Sequence, residues 1–191
     1  MRGPFFIALE GLDGSGKSTL APPLARRLDA MVLATPPAEL RITRLAVDAA
    51  YAECPVAAQL FYASTVAWVS ELAGAALRAG RSVVVDRYWL STVVYSALRP
   101  GALDLAVLEP GLRPTDATVL LTLEEPKRQR RLAGRGMTAA DRRCLDASRR
   151  LTDAYELAVA RPFAGHIVRV DTGIASPEAA TDAVVAALEA M

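Results

Sequence analysis

FFIALEGLDGSGKSTL, residues 5–20, decides how this chain folds. Its first half is a continuous apolar run, the pattern of a short strand buried on both faces. Its second half is a glycine-rich turn that opens a helix near Lys17. The pattern G-x-x-x-x-G-K-[ST] is filled by Gly11, Gly16, Lys17 and Ser18, in the strand-turn-helix context of a phosphate-binding P-loop. Glycine at 11, 14 and 16 lets successive N–H groups and the helix N-terminus close around an anion with no Cβ in the way. Ser15 and Thr19 belong to the same cradle; Lys17 is expected to reach the β- and γ-phosphates, and the Ser18 hydroxyl to bind Mg²⁺.

Composition narrows the setting. At 191 residues the chain is read as one domain, residues 1–191, large enough for a single buried core. Hydrophobic residues make up 52%, yet no run approaches the ~20 apolar residues of a membrane helix, and a signal peptide would sacrifice the first strand. Cys54 and Cys144 are far apart and in no metal-like spacing, so a reducing cytoplasm is the expected location. The single histidine, His166, precedes an apolar strand and has no companion ligands, which sets aside zinc sites and histidine triads. A net charge of +1 argues against a nucleic-acid binder. Only Lys17 and Lys127 are lysine among 22 cationic residues, so lysine in the P-loop answers a demand for a compact charge with rotatable donors.

Beyond the P-loop, apolar strands alternate with amphipathic stretches, the pattern of a five-stranded parallel sheet in a three-layer α/β fold. Strands are expected at 4–10, 30–34, 82–86, 117–123 and 167–170, and helices at 17–28, 39–51, 56–79, 90–98, 127–132, 139–159 and 177–190. Thr138 with Asp141 makes a capping box, and Ser176-Pro177 an N-cap with proline at the first helical position. Residues 101–114 carry two glycines and two prolines and read as a connection with at most one short helical segment.

Ligands of such sheets sit beyond the carboxyl ends of the strands. The third strand ends Val85-Asp86-Arg87, placing there a carboxylate suited to Mg²⁺, or to capping the next helix, and a guanidinium suited to phosphate. Asp13, among amides arranged for anions, is expected on the substrate side. From Lys127 to Arg150 the chain is rich in arginine, with Gly134 and Gly136 flanking Arg135. That is the composition of a mobile lid, about residues 132–141, able to place Arg131, Arg135 or Arg142 over transferring phosphates.

At these residues the chain resembles the thymidylate kinase family of P-loop nucleoside monophosphate kinases. The likeness runs through FIALEGLDGSGKST, LFYAS, VVVDRYWLSTVVYSA, DATVLLTLEEP and the lid ending in Asp141-Arg142; Asp86-Arg87-Tyr88 with Ser91 and Tyr95 is its most specific part. The resemblance implies ATP and Mg²⁺ as cofactors, dTMP as phosphoryl acceptor, and a homodimer, to which the apolar segment 60–77 also points. It places Arg87 on the acceptor phosphate, Asp13 near the acceptor sugar and metal, Lys17 on the donor phosphates, and Arg131 and Arg135 in the adenine and lid region. With Gly14 where some members carry an arginine, the catalytic arginine is expected from the lid.

The acceptor end departs from the pattern. Ala34-Thr35-Pro36-Pro37 stands where the family has T-R-E-P-G-G, Thr65 where an arginine meets the base, and Ser96 where a glutamine follows Tyr95. Phe61, Tyr62, Trp68, Trp89 and Tyr95 are expected to wall the acceptor pocket, with Thr65 and Ser96 among the substrate-binding positions. A nucleoside or another small hydroxyl or phosphorylated metabolite is the alternative acceptor, and a nucleotide-dependent regulatory ATPase the alternative class. The chain has no asparagine, so the N-K-x-D signature of switch GTPases is absent.

Overall fold

The apolar half of the opening stretch forms β1, Phe6–Glu10, and all five of its side chains are buried. In this computed structural model, which describes residues 3–99, 101, 103–174 and 176–190 but not the Arg41 side chain, β1 is the middle strand of the sheet. The others are β2 (Ala30–Ala34), β3 (Ser82–Asp86), β4 (Ala117–Thr122) and β5 (His166–Asp171), in the order β2-β3-β1-β4-β5 and all parallel. β1 therefore lies where the strand order reverses, and the crevice at its carboxyl end is the natural ligand position.

Pleating sends alternate side chains to opposite faces. Ile7 and Leu9 pack with Leu20 and Leu24 of α1 (Lys17–Arg27) and with Val184 and Leu188 of α8 (Pro177–Glu189). Phe6 and Ala8 pack on the other face with Val66, Val69 and Ala73 of α3 (Pro55–Arg78) and with Trp89 of α4 (Trp89–Ser96). α2 (Arg41–Ala50), α5 (Glu125–Gly134), α6 (Ala139–Asp146) and α7 (Ser148–Val159) complete the layers. The strand-helix order and the sheet match the sequence reading.

Several boundaries differ, each for a physical reason. The single helix expected over 139–159 is two, joined at Ala147. No glycine or proline marks this joint; Ser148, just after it, is buried and accepts a hydrogen bond from Arg128. α5 begins at Glu125 because Pro126 fits the first turn of a helix, where its missing N–H is no loss. α1 runs through Pro22 and Pro23, held by the burial of Leu20, Ala21, Leu24 and Ala25 around them. The capping box of Thr138 and Asp141 and the Ser176 N-cap form as expected, and residues 105–111 make a short 3-10 helix.

The expectation about membrane spans fails at α3, whose 24 residues reach a mean hydropathy of 1.3 over an 18-residue window, long and apolar enough to cross a bilayer. Unbroken runs of large apolar residues were the wrong criterion, since alanine and valine raise the mean between polar positions. In the fold, Val66, Val69 and Ala73 of α3 cover the sheet, while its buried Gln59, Thr65 and Ser70 are hydrogen-bonded within the protein.

Strand β1 is fastened at its head by Asp116, whose carboxylate accepts from the Phe6 N–H at 2.7 Å while its own N–H donates to the Phe6 carbonyl. Asp116→Ala is expected to lower stability by about 1–2 kcal/mol, since it orphans a strand N–H. Urea unfolding measures this, and an unchanged midpoint would show that Asp116 does not fasten the strand.

Candidate functional site

The turn after β1 is forced to be glycine by its neighbour. Gly11 has φ +134°, and a Cβ there would sit 2.4 Å from the Leu121 carbonyl oxygen of β4. From this point the loop wraps back, and Gly16 in left-handed conformation caps α1. Lys17 is buried and folds onto the loop, donating to the carbonyls of Gly11 at 2.9 Å and Leu12 at 2.8 Å and reaching Ser15 Oγ at 3.4 Å. Burial, with Arg87 alongside, pulls its ammonium down to about 7, so an anion in the loop would restore its charge. The outer side of the loop is braced by Thr172, whose hydroxyl donates to the Ser15 carbonyl and accepts from Arg131, which also donates to the Thr172 carbonyl at 2.7 Å.

Ser18, in the first turn of α1, donates its hydroxyl to Asp86 Oδ2 at 2.5 Å. The other carboxylate oxygen of Asp86, Oδ1, is buried without a partner. A hydroxyl beside a carboxylate with one spare oxygen is the hard-oxygen donor set that suits Mg²⁺. Among the described residues no group of three histidine, cysteine or carboxylate ligands forms a cage, which leaves the remaining coordination positions to phosphates and water.

Arg87 follows in left-handed backbone conformation, φ +67°, unusual for a residue with a side chain. Its guanidinium pairs closely with Asp13 Oδ1, donates to Ser91 Oγ at 3.0 Å and to the Gly11 carbonyl at 3.2 Å, and lies over the Tyr95 ring. Tyr95 takes a role different from the expected pocket wall: its hydroxyl donates to Asp13 Oδ2 and accepts from the Asp13 N–H. Burial alone would raise the Asp13 carboxyl, but the charges of Arg87 and Lys17 outweigh it and hold the group well below the usual range. Beneath them Glu10, fully buried, accepts from the Tyr88 and Ser91 N–H groups and from the Ser91 and Tyr155 hydroxyls. Burial raises its carboxyl above the ordinary value.

A cleft of about 820 Å³ is lined by Asp13, Gly14, Gly16, Lys17, Ser18 and Thr19 of the loop and first helical turn, by Asp86 and Arg87 at the end of β3, and by Arg131 and Arg135. Arg135 pairs at 2.7 Å with Asp141, the residue that also caps α6. Arg142, Arg149 and Arg150 are exposed on α6 and α7 away from the cleft.

Phe61, Tyr62, Thr65, Trp68, Trp89, Tyr95 and Ser96, all expected at the acceptor, do not line it. Thr65 is buried and gives its hydroxyl to the Tyr62 carbonyl of its own helix, Ser96 is buried in α4, and Phe61 packs edge-on against Tyr62. Short side chains cannot cover the span of the arginine and glutamine they replace. The sequence reading also missed Arg44, which lines the cleft together with Thr35 and Pro36. Arg44 shares the Tyr62 hydroxyl with Asp48, 3.3 Å on its own side and 2.7 Å on that of Asp48. Its position on an amphipathic helix gave only a solvated charge to read.

The family model for thymidylate kinase matches residues 9–182. A probable thymidylate kinase of Pyrococcus abyssi is 29% identical over 200 residues, covering 97% of this chain and 96% of that protein. The thymidylate kinase of Pelotomaculum thermopropionicum is 30% identical over 174 residues, covering 82% and 80%. Among solved structures, the thymidylate kinase of Candida albicans superposes with a TM-score of 0.76 at 20% identity, covering 98% of this chain and 92% of that one. The YorR protein of Bacillus subtilis, solved with phosphorylated GDP, gives 0.62 at 18% identity, covering 96% and 95%. At those identities the solved structures speak for the fold alone. The family model and the curated relatives, spanning a chain whose P-loop and Asp86-Arg87 pair share one cleft, show that it belongs to the thymidylate kinase family of phosphotransferases.

Proposed function

We propose that this enzyme transfers the γ-phosphoryl group of ATP to dTMP with Mg²⁺. The observation that carries the reading is one cleft lined by Lys17, Ser18, Asp86, Arg87, Arg44, Arg131 and Arg135. Lys17 exchanges its carbonyl partners for the β- and γ-phosphates, and Arg131 and Thr172 hold the adenosine side. Ser18 and Asp86 would hold Mg²⁺, which would supply charge neutralisation for the transferring phosphates. Arg87, aimed by Asp13 and Ser91, grips the acceptor phosphate, so that one of its oxygens lies in line with the γ-phosphorus. The new P–O bond forms as the bond to the bridging oxygen breaks, and that electron pair leaves on ADP. Arg135 leaves Asp141 to cover the transferring group, where a guanidinium stabilises the developing charge.

Arg44 answers the arginine missing after β2. It brings a guanidinium to the Thr35-Pro36 end of the cleft from α2 instead, so a phosphorylated acceptor has two cations there. With both cysteines free, the working compartment in this reading is a reducing cytoplasm.

With Mg·ATP and a panel of nucleotides, nucleosides and phosphorylated metabolites, dTMP is expected to be the best acceptor; turnover of another class without dTMP would sink the assignment. Lys17→Ala is expected to cut phosphoryl transfer to every acceptor by more than about a hundredfold while the far-ultraviolet circular dichroism stays unchanged. Arg87→Ala is expected to raise the KM for dTMP by about tenfold or more and that for ATP little; equal losses would make Arg87 structural.

A homodimer through α2 and α3 is part of the same proposal. Ile42, Leu45, Leu60 and Trp68 stand 81%, 68%, 52% and 42% exposed on two helices that pack together, and apolar exposure of that kind marks an interface. Sedimentation velocity should give a dimer that Leu60→Glu with Trp68→Glu converts to monomer; a monomeric wild type would count against it.

A further inference from the structure

The arginine-rich stretch contains one cation that neither lines the cleft nor faces solvent. Arg128, in α5, is 1% exposed, the most deeply buried charge of the stretch. Its Nη2 donates to Ser148 Oγ at 2.7 Å, its Nη1 reaches the Asp13 carbonyl at 3.4 Å, and its Nε is buried without a partner. Among the described residues Arg128 takes part in no ion pair. A guanidinium keeps its charge at any physiological pH, so this one is buried with no carboxylate to balance it.

What it touches is the P-loop from behind. The peptide from Asp13 to Gly14 is planar and trans, so with its carbonyl turned to Arg128 its N–H points the opposite way. Gly14 lines the cleft. Its contact with Arg128 is close: a Cβ at position 14, where φ is +84°, would lie 3.2 Å from Arg128 Cγ and 3.1 Å from Leu132. The arginine stem and head thus fix both the placement and the orientation of one loop peptide. The other end of the guanidinium grips Ser148, at the joint between α6 and α7, and α6 carries the Asp141 partner of Arg135.

We propose that Arg128 is a positioning residue for the donor triphosphate: an uncompensated buried charge that holds the Asp13-Gly14 peptide with its N–H toward the phosphates. The phosphates across the loop are the counter-charge that the protein itself does not supply. The ordering of α7 through Ser148 keeps the guanidinium at that peptide when the lid moves. This deepens the donor reading above and rests on it.

Stability and binding move in opposite directions under this proposal, which separates it from a packing role. Arg128→Met keeps the stem and removes the charge, and an unpaired buried charge does not stabilise a fold. The apo melting temperature is therefore expected to hold or rise, while Mg·ADP binding by calorimetry weakens at least tenfold. In turnover, the KM for ATP rises and kcat falls, with the KM for the acceptor unchanged. Arg128→Lys, keeping the charge but not the fork, should recover part of the loss. A lowered apo melting temperature with unchanged nucleotide affinity would overturn the proposal. Should Arg128→Met fail to fold, Arg128→Lys and Ser148→Ala decide: a KM for ATP raised at least threefold in both supports it, and wild-type values in both end it. A wild type that binds no Mg·ADP would instead refute the donor reading itself.

Discussion

Like charges crowded around one turn are the constraint on which the rest of this structure depends. Lys17, Arg87, Arg128 and Arg131 all hydrogen-bond residues between Gly11 and Ser15 or the Thr172 that braces them. Repulsion between cations in a half-buried site is unfavourable, and each must also be desolvated to reach it. Three of the four have a substitute partner, carbonyls for Lys17, the Asp13 carboxylate for Arg87 and Thr172 for Arg131, while Arg128 has no carboxylate beside it. None of these partners is a strong, fully buried ion pair. A polyanion can displace them without first breaking the core.

The partners also differ in what they cost to exchange. Lys17 leaves neutral carbonyls, which can turn to solvent or metal-bound water. Arg87 is held by Asp13, which the Tyr95 hydroxyl also bonds, and by the Tyr95 ring over which it lies. Its left-handed backbone at the strand end, with the Glu10 and Ser91 cluster below, fixes it in place before any ligand arrives. Arg135 is the opposite case: a single pair with Asp141, more than half exposed on the arginine side, on a segment flanked by glycines. In the proposed transfer a rigid cation would orient the acceptor and a loosely held one would follow the reaction.

Legibility in the sequence followed how local each feature is. The P-loop, the five strands and the Asp86-Arg87 pair were readable because each rests on a few adjacent residues and a two-residue pleat. The joint at Ala147 was not, because a contact from Arg128, 20 positions away, helps to seat it. Arg44 and Arg128 are two arginines among many, one unmarked by any motif and the other within an arginine-rich cluster. Their surroundings, Tyr62 and Pro36 for one and the Asp13 carbonyl for the other, exist only once the helices have docked. Thr65 and Ser96 were assigned by their place in a pattern, and side-chain length overruled it: each is buried within its own helix.

The two ends of the cleft are built from different materials, and this bears on how the protein chooses a substrate. The donor end is mainly backbone: amides, a helix N-terminus and glycines whose Cβ would collide with a neighbouring strand or with Arg128. Backbone donors recognise any phosphate of the right spacing and say little about what lies beyond it. Arg44 of the cleft belongs instead to a set of long side chains that hold one another, Arg44 to Tyr62, Tyr62 to Asp48, and Arg99, just after α4, over the Tyr62 ring. Such a set can be re-aimed by a single change in length without disturbing the sheet. In the proposed reading, Thr65 where the family resemblance expects an arginine and Arg44 lining the cleft are changes of this kind, and they would shift discrimination among acceptors toward the phosphate and the shape of the pocket.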